Sequence, residues 1–201
     1  MSPIDRTGNP RTGTRLRLLA GAITAAAISI AGLPARPVFA QNITVSGGAV
    51  QSNSSPATYN SIDVSGTDGS SNPSTYNADA PLTLTGSLNA HDLGVFNVNA
   101  DVSIGREATS SSGGVINLNA GTLMASWGLS FNGLGSVNQN GGHYSVDRYQ
   151  RLTLSNGAAL AYGTGDTLNG NVDLTSGAAL TLARDLDDCR GIYLTGTATS
   201  L

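Results

Sequence analysis

The sequence predicts an all-β protein, and within that class a parallel β-solenoid: a right-handed β-helix of about nine turns of roughly 20 residues each. Three observations carry this expectation. The 201 residues contain no Lys and 26 Gly, and charged residues make up 11%, against ~25% in an average soluble domain, so strong helix formers are scarce. A six-residue pattern recurs: apolar, polar, apolar, Ser/Thr/Asn, small or Asn, then usually Gly. Its copies are almost evenly spaced. An antiparallel β-sandwich could be built from the same short strands, but a sandwich does not require a constant period.

The first segment, residues 1–40, reads as a cleaved secretory signal. Arg6, Arg11, Arg15 and Arg17 face a single acid, Asp5, and an apolar run follows over residues 18–33. Pro34 ends the run, and Val38-Phe39-Ala40 offers a small residue for cleavage between Ala40 and Gln41. The run is shorter than the ~20 residues that span a bilayer comfortably. With no Arg-Arg pair, a twin-arginine route is not expected. The expected location is therefore secreted or at a cell surface. After cleavage five Arg (106, 148, 151, 184, 190) remain against twelve acids, a net charge of −7. Such a chain repels nucleic acid and anionic membranes, and no second apolar run exists to form a transmembrane span. One Cys excludes a disulfide scaffold, and Cys189 is expected to be a small buried hydrophobe.

Residues 41–81 form a Ser/Asn/Pro-rich part, read as the first turns with long loops at 51–61 and 66–80. Thr-Tyr-Asn occurs there twice, at 58–60 and 75–77. Residues 82–201 are read as the main body of solenoid repeats. Over the whole mature chain the hexamer starts at 43, 62, 82, 96, 116, 137, 152, 172 and 192, with spacings of 19, 20, 14, 20, 21, 15, 20 and 20. Positions one and three of each copy are expected to point inward. Of these eighteen positions seventeen are Ile, Leu, Val or Phe; the exception, Gln139, predicts a local irregularity. The 14- and 15-residue steps mark shortened turns or a jump to another face. A second apolar pair after several hexamers (Val102/Ile104, Tyr144/Val146, Leu160/Tyr162, Leu180/Leu182) predicts two strands per repeat. Nine turns at ~4.8 Å make a rod of roughly 43 Å. Spacings near 20 also stack Asn97/Asn117/Asn138 and Asn99/Asn119/Asn140 into two polar ladders between turns.

Candidate chemistry is sparse. The densest polar segment holds His143, Tyr144, Asp147, Arg148 and Tyr149, where aromatic faces and Arg forks suit a carbohydrate. Asp187 and Asp188 form a carboxylate pair of the kind glycoside hydrolysis uses, but neighbours on a strand point to opposite faces. That pair and Gly141-Gly142-His143 only weakly echo pectin-cleaving β-helix hydrolases, whose Asn-Thr-Asp and Arg-Ile-Lys motifs are absent. Residues 163–170, Gly-Thr-Gly-Asp-Thr-Leu-Asn-Gly, resemble a calcium-binding Gly/Asp nonapeptide but stand alone and one residue short. The outward residues between the apolar pairs, from Thr44 to Tyr193, are too mixed for an ice-binding lattice. The reading is of a non-enzymatic protein with no cofactor and no metal, with a carbohydrate-acting β-helix enzyme as the alternative.

At Ile116-Asn-Leu-Asn-Ala-Gly-Thr-Leu123 and Val137-Asn-Gln-Asn-Gly-Gly-His-Tyr144 the chain resembles bacterial autotransporter passenger domains and proteins with autotransporter-associated β-strand repeats. The resemblance covers residues ~43–201 and rests on motifs that any Gly/Asn-rich solenoid shares. It implies a right-handed β-helix displayed at, or released from, a bacterial outer surface with an adhesive role. Its partner would be a surface glycan or a host or cell-surface protein. The family's translocator barrel has no counterpart here, so either a truncated passenger or one completed by another component is expected, with open strand edges that invite end-to-end self-association.

Overall fold

The computed structural model describes residues 40–133, 135–186 and 189–196. Alternating apolar and polar side chains fold these residues into short strands separated by corners of two to nine residues. The first coil runs through β1 (Ile43–Val45), β2 (Val50–Asn53) and β3 (Ala57–Tyr59). The second comprises β4 (Ile62–Ser65), β5 (Thr75–Ala78) and β6 (Leu82–Leu84), and the third β7 (Leu88–His91), β8 (Val95–Val98) and β9 (Val102–Ile104). The fourth holds β10 (Glu107–Ser110), β11 (Val115–Leu118) and β12 (Thr122–Ala125), and the fifth β13 (Gly128–Asn132), β14 (Ser136–Gln139) and β15 (His143–Val146). β16 (Arg151–Ser155), β17 (Ala159–Tyr162) and β18 (Thr167–Leu168) make the sixth. β19 (Asn171–Thr175) and β20 (Ala179–Leu182) belong to the seventh, and β21 (Gly191–Thr195) begins another.

Each strand pairs in parallel with its counterpart one coil away, so the fold is a β-solenoid rather than a sandwich. The first face is one sheet of eight strands, β1-β4-β7-β10-β13-β16-β19-β21. The second is β2-β5-β8-β11-β14, followed by a separate pair, β17-β20, and the third is β3-β6-β9-β12-β15-β18. From Ile43 the first-face register passes through Ile62, Leu88, Ala108, Leu129, Leu152 and Val172 to Ile192, in steps of 19, 26, 20, 21, 23, 20 and 20 residues. Seven steps at ~4.8 Å give a stack about 34 Å long.

The structure therefore has about seven turns, not nine, and three strands per coil, not two. The hexamers at 62, 82 and 96 lie on the first, third and second faces in turn, and those at 137 and 152 on the second and first. The 14- and 15-residue steps are two of these changes of face, and the third, from 62 to 82, is hidden in a 20-residue step that contains the 66–74 insertion. Two of the additional strands are weak in the pattern because inward residues are small, Ala90 in β7 and Ala108 and Ser110 in β10, whereas β13 carries Leu129 and Phe131 inward. Residues 51–61 and 75–78, expected as loops, contain β2, β3 and β5. Tyr76 alternates inward there and stacks on Phe96 one coil on, with ring centroids 5.5 Å apart. The true insertion is 66–74, closed by the Asp68 carboxylate accepting from the Ser70 and Asn72 N–H groups at 2.8 and 2.9 Å.

Thirteen of the eighteen expected inward positions are buried. Ile43, Ile192 and Leu194 belong to the first and last described first-face strands, and Val137 and Gln139 to β14, where second-face pairing stops. At the corner leading to the second face, Gly94 and Gly114 are required by close approach: a Cβ on either would run into the Val64 or Ala90 carbonyl of the preceding coil.

Both Asn ladders are present. Asn97 donates to Asn77, Asn117 to Asn97 and Asn138 to Asn117 at 2.7–2.8 Å. Beside them Asn99 donates to Asp79, Asn119 to Asn99 and Asn140 to Asn119 at 2.7–3.0 Å. Among the described residues no helix is long and apolar enough to cross a membrane.

Candidate ligand-binding surface

The structure separates the five residues of the polar segment 143–149. Tyr144 alternates into the core from β15, with its hydroxyl donating to the Ala161 carbonyl at 3.1 Å. Burial pushes its phenol well above the usual range. Tyr144 is therefore a core residue and not part of a ligand platform, a consequence of the strand period. His143 is half-exposed, with Nδ1 3.7 Å from the Asp166 carboxylate. Asp147, Arg148 and Tyr149 form an exposed turn, closed by Gln150 N–H to the Asp147 carbonyl at 2.9 Å and Asp147 N–H to Gln150 Oε1 at 2.7 Å. Tyr149 is 85% exposed.

Asp166 is the most constrained acid among the described residues. It is 4% exposed, at the turn between β17 and β18. Its carboxylate accepts from Gly163 N–H at 2.9 Å, Tyr144 N–H at 3.1 Å and Gln139 Nε2 at 3.2 Å. Gln139 Oε1 in turn accepts from Ala161 N–H at 3.2 Å. β17 lies beside β14 without ladder pairing, so these side chains bridge the gap. This is the irregularity expected at Gln139. The segment read against a calcium nonapeptide turns its Asp166 inward, toward N–H donors.

A second grouping lies along the corner edge between the third and first faces. Arg106 N–H donates to the Gly86 carbonyl at 3.0 Å, Trp127 N–H to Arg106 at 2.9 Å, Asn171 N–H to Gln150 at 3.1 Å and Arg190 N–H to Gly170 at 3.1 Å. These bonds, with the β13–β16 pairing of Leu129 and Leu152, place Arg106, Trp127, the 147–150 turn, Gly170 and Arg190 on successive coils of one edge. The Arg106 guanidinium carbon sits 4.4 Å from the Trp127 ring centroid, and those of Arg148 and Arg190 each lie 5.9 Å from Tyr149. Trp127 is 62% exposed. Next to the edge, on the outer side of β16, β19 and β21, a shallow groove of about 340 Å³ is lined by Arg151, Thr153, Asp173, Thr175, Tyr193 and Thr195. Arg151 Nη1 meets Asp173 Oδ2 at 2.7 Å across its floor.

Asp187 and Asp188, the carboxylate pair, lie outside the described residues. Cys189 is a free, half-buried thiol packed against the core, with Sγ 3.4 Å from the Gly170 carbonyl. Residues 1–39 of the expected signal also lie outside the described part. Ala40 and Gln41 are described, and the Gln41 carbonyl already accepts from Asn60 N–H at 2.9 Å.

No protein-family model, no curated protein and no solved structure matches this chain. Sequence reading missed Arg106, Trp127, Arg190 and Tyr193 because their grouping depends on register between coils. The signal was present: Arg106 and Trp127 are 21 residues apart, one coil step.

Proposed function

We propose that this chain is an exported, non-enzymatic β-solenoid of the autotransporter-passenger kind, secreted or held at a bacterial surface, with a structural and adhesive role. The observation that carries the reading is the use made of the outward polar side chains. Asn77, Asn97, Asn117 and Asn138 spend their amides on one another. Amides committed to bonds between coils stiffen a rod and are withdrawn from chemistry on a substrate. The tie from Asn60 to Gln41 supports the same reading, since the first coil engages the residue that would follow the cleaved signal.

The test is expression of the full chain in a Gram-negative host, with N-terminal sequencing of the exported fraction. The expected product begins at Gln41 and is recovered from the surface or medium. A cytosolic product that keeps residues 1–40 would overturn the export reading. Polysaccharide cleavage abolished by Asp187→Asn would replace the adhesive reading with the enzymatic one.

A further inference from the structure

We propose that the corner edge carrying Arg106, Trp127, Arg148, Tyr149 and Arg190, with the adjoining Arg151 groove, binds an acidic polysaccharide. The inference rests on the adhesive reading and names its ligand class.

The edge concentrates cationic charge in a chain that is otherwise acidic. Outside residues 1–40 the chain has five Arg against twelve acids, and four of the five (106, 148, 151 and 190) are on this edge or start the strand beside it. Among the described residues, the only one of the four in an ion pair is Arg151, with Asp173. Arg106, Arg148 and Arg190 instead lie over the rings of Trp127 and Tyr149. A guanidinium near a ring face keeps N–H donors free at its rim, in a fork that matches a carboxylate or sulfate. The two rings are among the most exposed large side chains described. An exposed ring face covers the C–H face of a pyranose, while the Arg forks take its acid groups.

From Arg106 to Arg190 the edge spans four coil steps, about 19 Å, enough for a run of several sugars rather than one. The groove adds hydroxyl chemistry. Thr153 and Thr175 each carry a donor and acceptor, and the Asp173 carboxylate accepts from sugar hydroxyls. The groove's Thr153, Asp173 and Thr175 match the hydroxyls that a polysaccharide carries along its rings and a DNA backbone lacks.

Trp127 is the only Trp in the chain, so its fluorescence reports on this edge directly. The experiment titrates the full chain with alginate, dextran sulfate, dextran and poly(dT), at low and high salt. Alginate, dextran sulfate or both are expected to change the Trp127 emission saturably, and more weakly as salt screens the Arg charges. Which of the two binds distinguishes carboxylate from sulfate recognition. The Arg106→Ala/Arg148→Ala double variant is expected to lose at least 10-fold in affinity with an unchanged circular dichroism spectrum, because both residues are exposed. Trp127→Ala, followed by calorimetry, is expected to weaken binding by a similar factor. Equal binding of dextran, preferential binding of poly(dT), no response to either acidic polymer, or full affinity in both variants would each overturn the proposal. The export reading stands or falls separately, on the N-terminus of the exported product.

Discussion

The second face of the solenoid holds its coils together in two ways, and the contrast between them shows where the stack is strong. From β2 to β14 the strands are paired in parallel, and the Asn ladders run outside an already complete backbone ladder. Between β14 and β17 the pairing stops, and Gln139 and Asp166 carry polar contacts across the gap. The first and third faces stay continuous across this level, through β13–β16 and β15–β18. The same amide chemistry therefore supplements the backbone in one region and substitutes for it in the other. Supplementary bonds can be lost singly; substitutes cannot, because their backbone partners have nowhere else to turn.

The largest effect is expected from the core of the ladder region. Phe96 is fully buried and stacked on Tyr76. Phe96→Ala should cost about 3–5 kcal/mol, a large share of the stability of an ordinary domain, and appear as a lower urea midpoint. Asp166→Ala should follow, at about 3 kcal/mol, since it strands the N–H groups of Tyr144 and Gly163 and the Gln139 amide. The two variants should also differ in kind. A solenoid's cooperativity depends on contacts between neighbouring coils. Loss of Asp166 weakens one interface, so its melt should separate into two transitions, whereas Phe96→Ala should shift one transition whole. A single sharp melt for Asp166→Ala would mean that the two continuous faces suffice to couple the halves.

Within the ladder, position should set the effect. Asn117 both donates and accepts, so Asn117→Ala should cost about 1–2 kcal/mol. Asn138 stands at the ladder's end, with one bond recorded to Asn117, and Asn138→Ala should cost about half as much. Equal losses by chemical denaturation would show that the number of ladder bonds an amide makes does not set its contribution.

These differences trace how far the sequence could be read. The Asn ladders were legible because identical residues recur at the coil length, and Gln139 was legible as the one polar residue in an apolar register. Two face changes were visible as 14- and 15-residue steps and one was hidden in a 20-residue step, so counting every hexamer as a turn made seven turns into nine. β7 and β10 were hard to see because Ala90, Ala108 and Ser110 fill inward positions with little hydrophobic signal, whereas β13 carried one in Leu129 and Phe131. Asp166 lies in a segment that reads like a calcium loop, and only its turn shows that the carboxylate faces inward. The Arg–aromatic edge needs register across coils, which composition does not contain.

The smallest effect concerns a charged clamp, on the first face. His91 Nδ1 lies 2.8 Å from Asp92 and Nε2 lies 3.2 Å from Asp63 of the preceding coil. The hydrogen bond to Asp92 raises the imidazole pKa most; burial opposes the rise, and the Asp63 charge adds to it. A raised pKa in the folded state means that folding takes up protons. The stabilisation is thus complete below the unfolded value of ~6.5 and is lost as pH rises through the higher folded value. Melting temperature measured from pH 5.5 to 8.5 should fall through that window in a way that His91→Gln removes. Asp92 is exposed and Asp63 half-exposed, so the change should stay below about 1 kcal/mol and shrink in high salt. Asp63→Asn isolates the contact between coils from the local one with Asp92. If it leaves the pH slope intact, His91 is held by its neighbour alone, and the clamp contributes nothing to the stack.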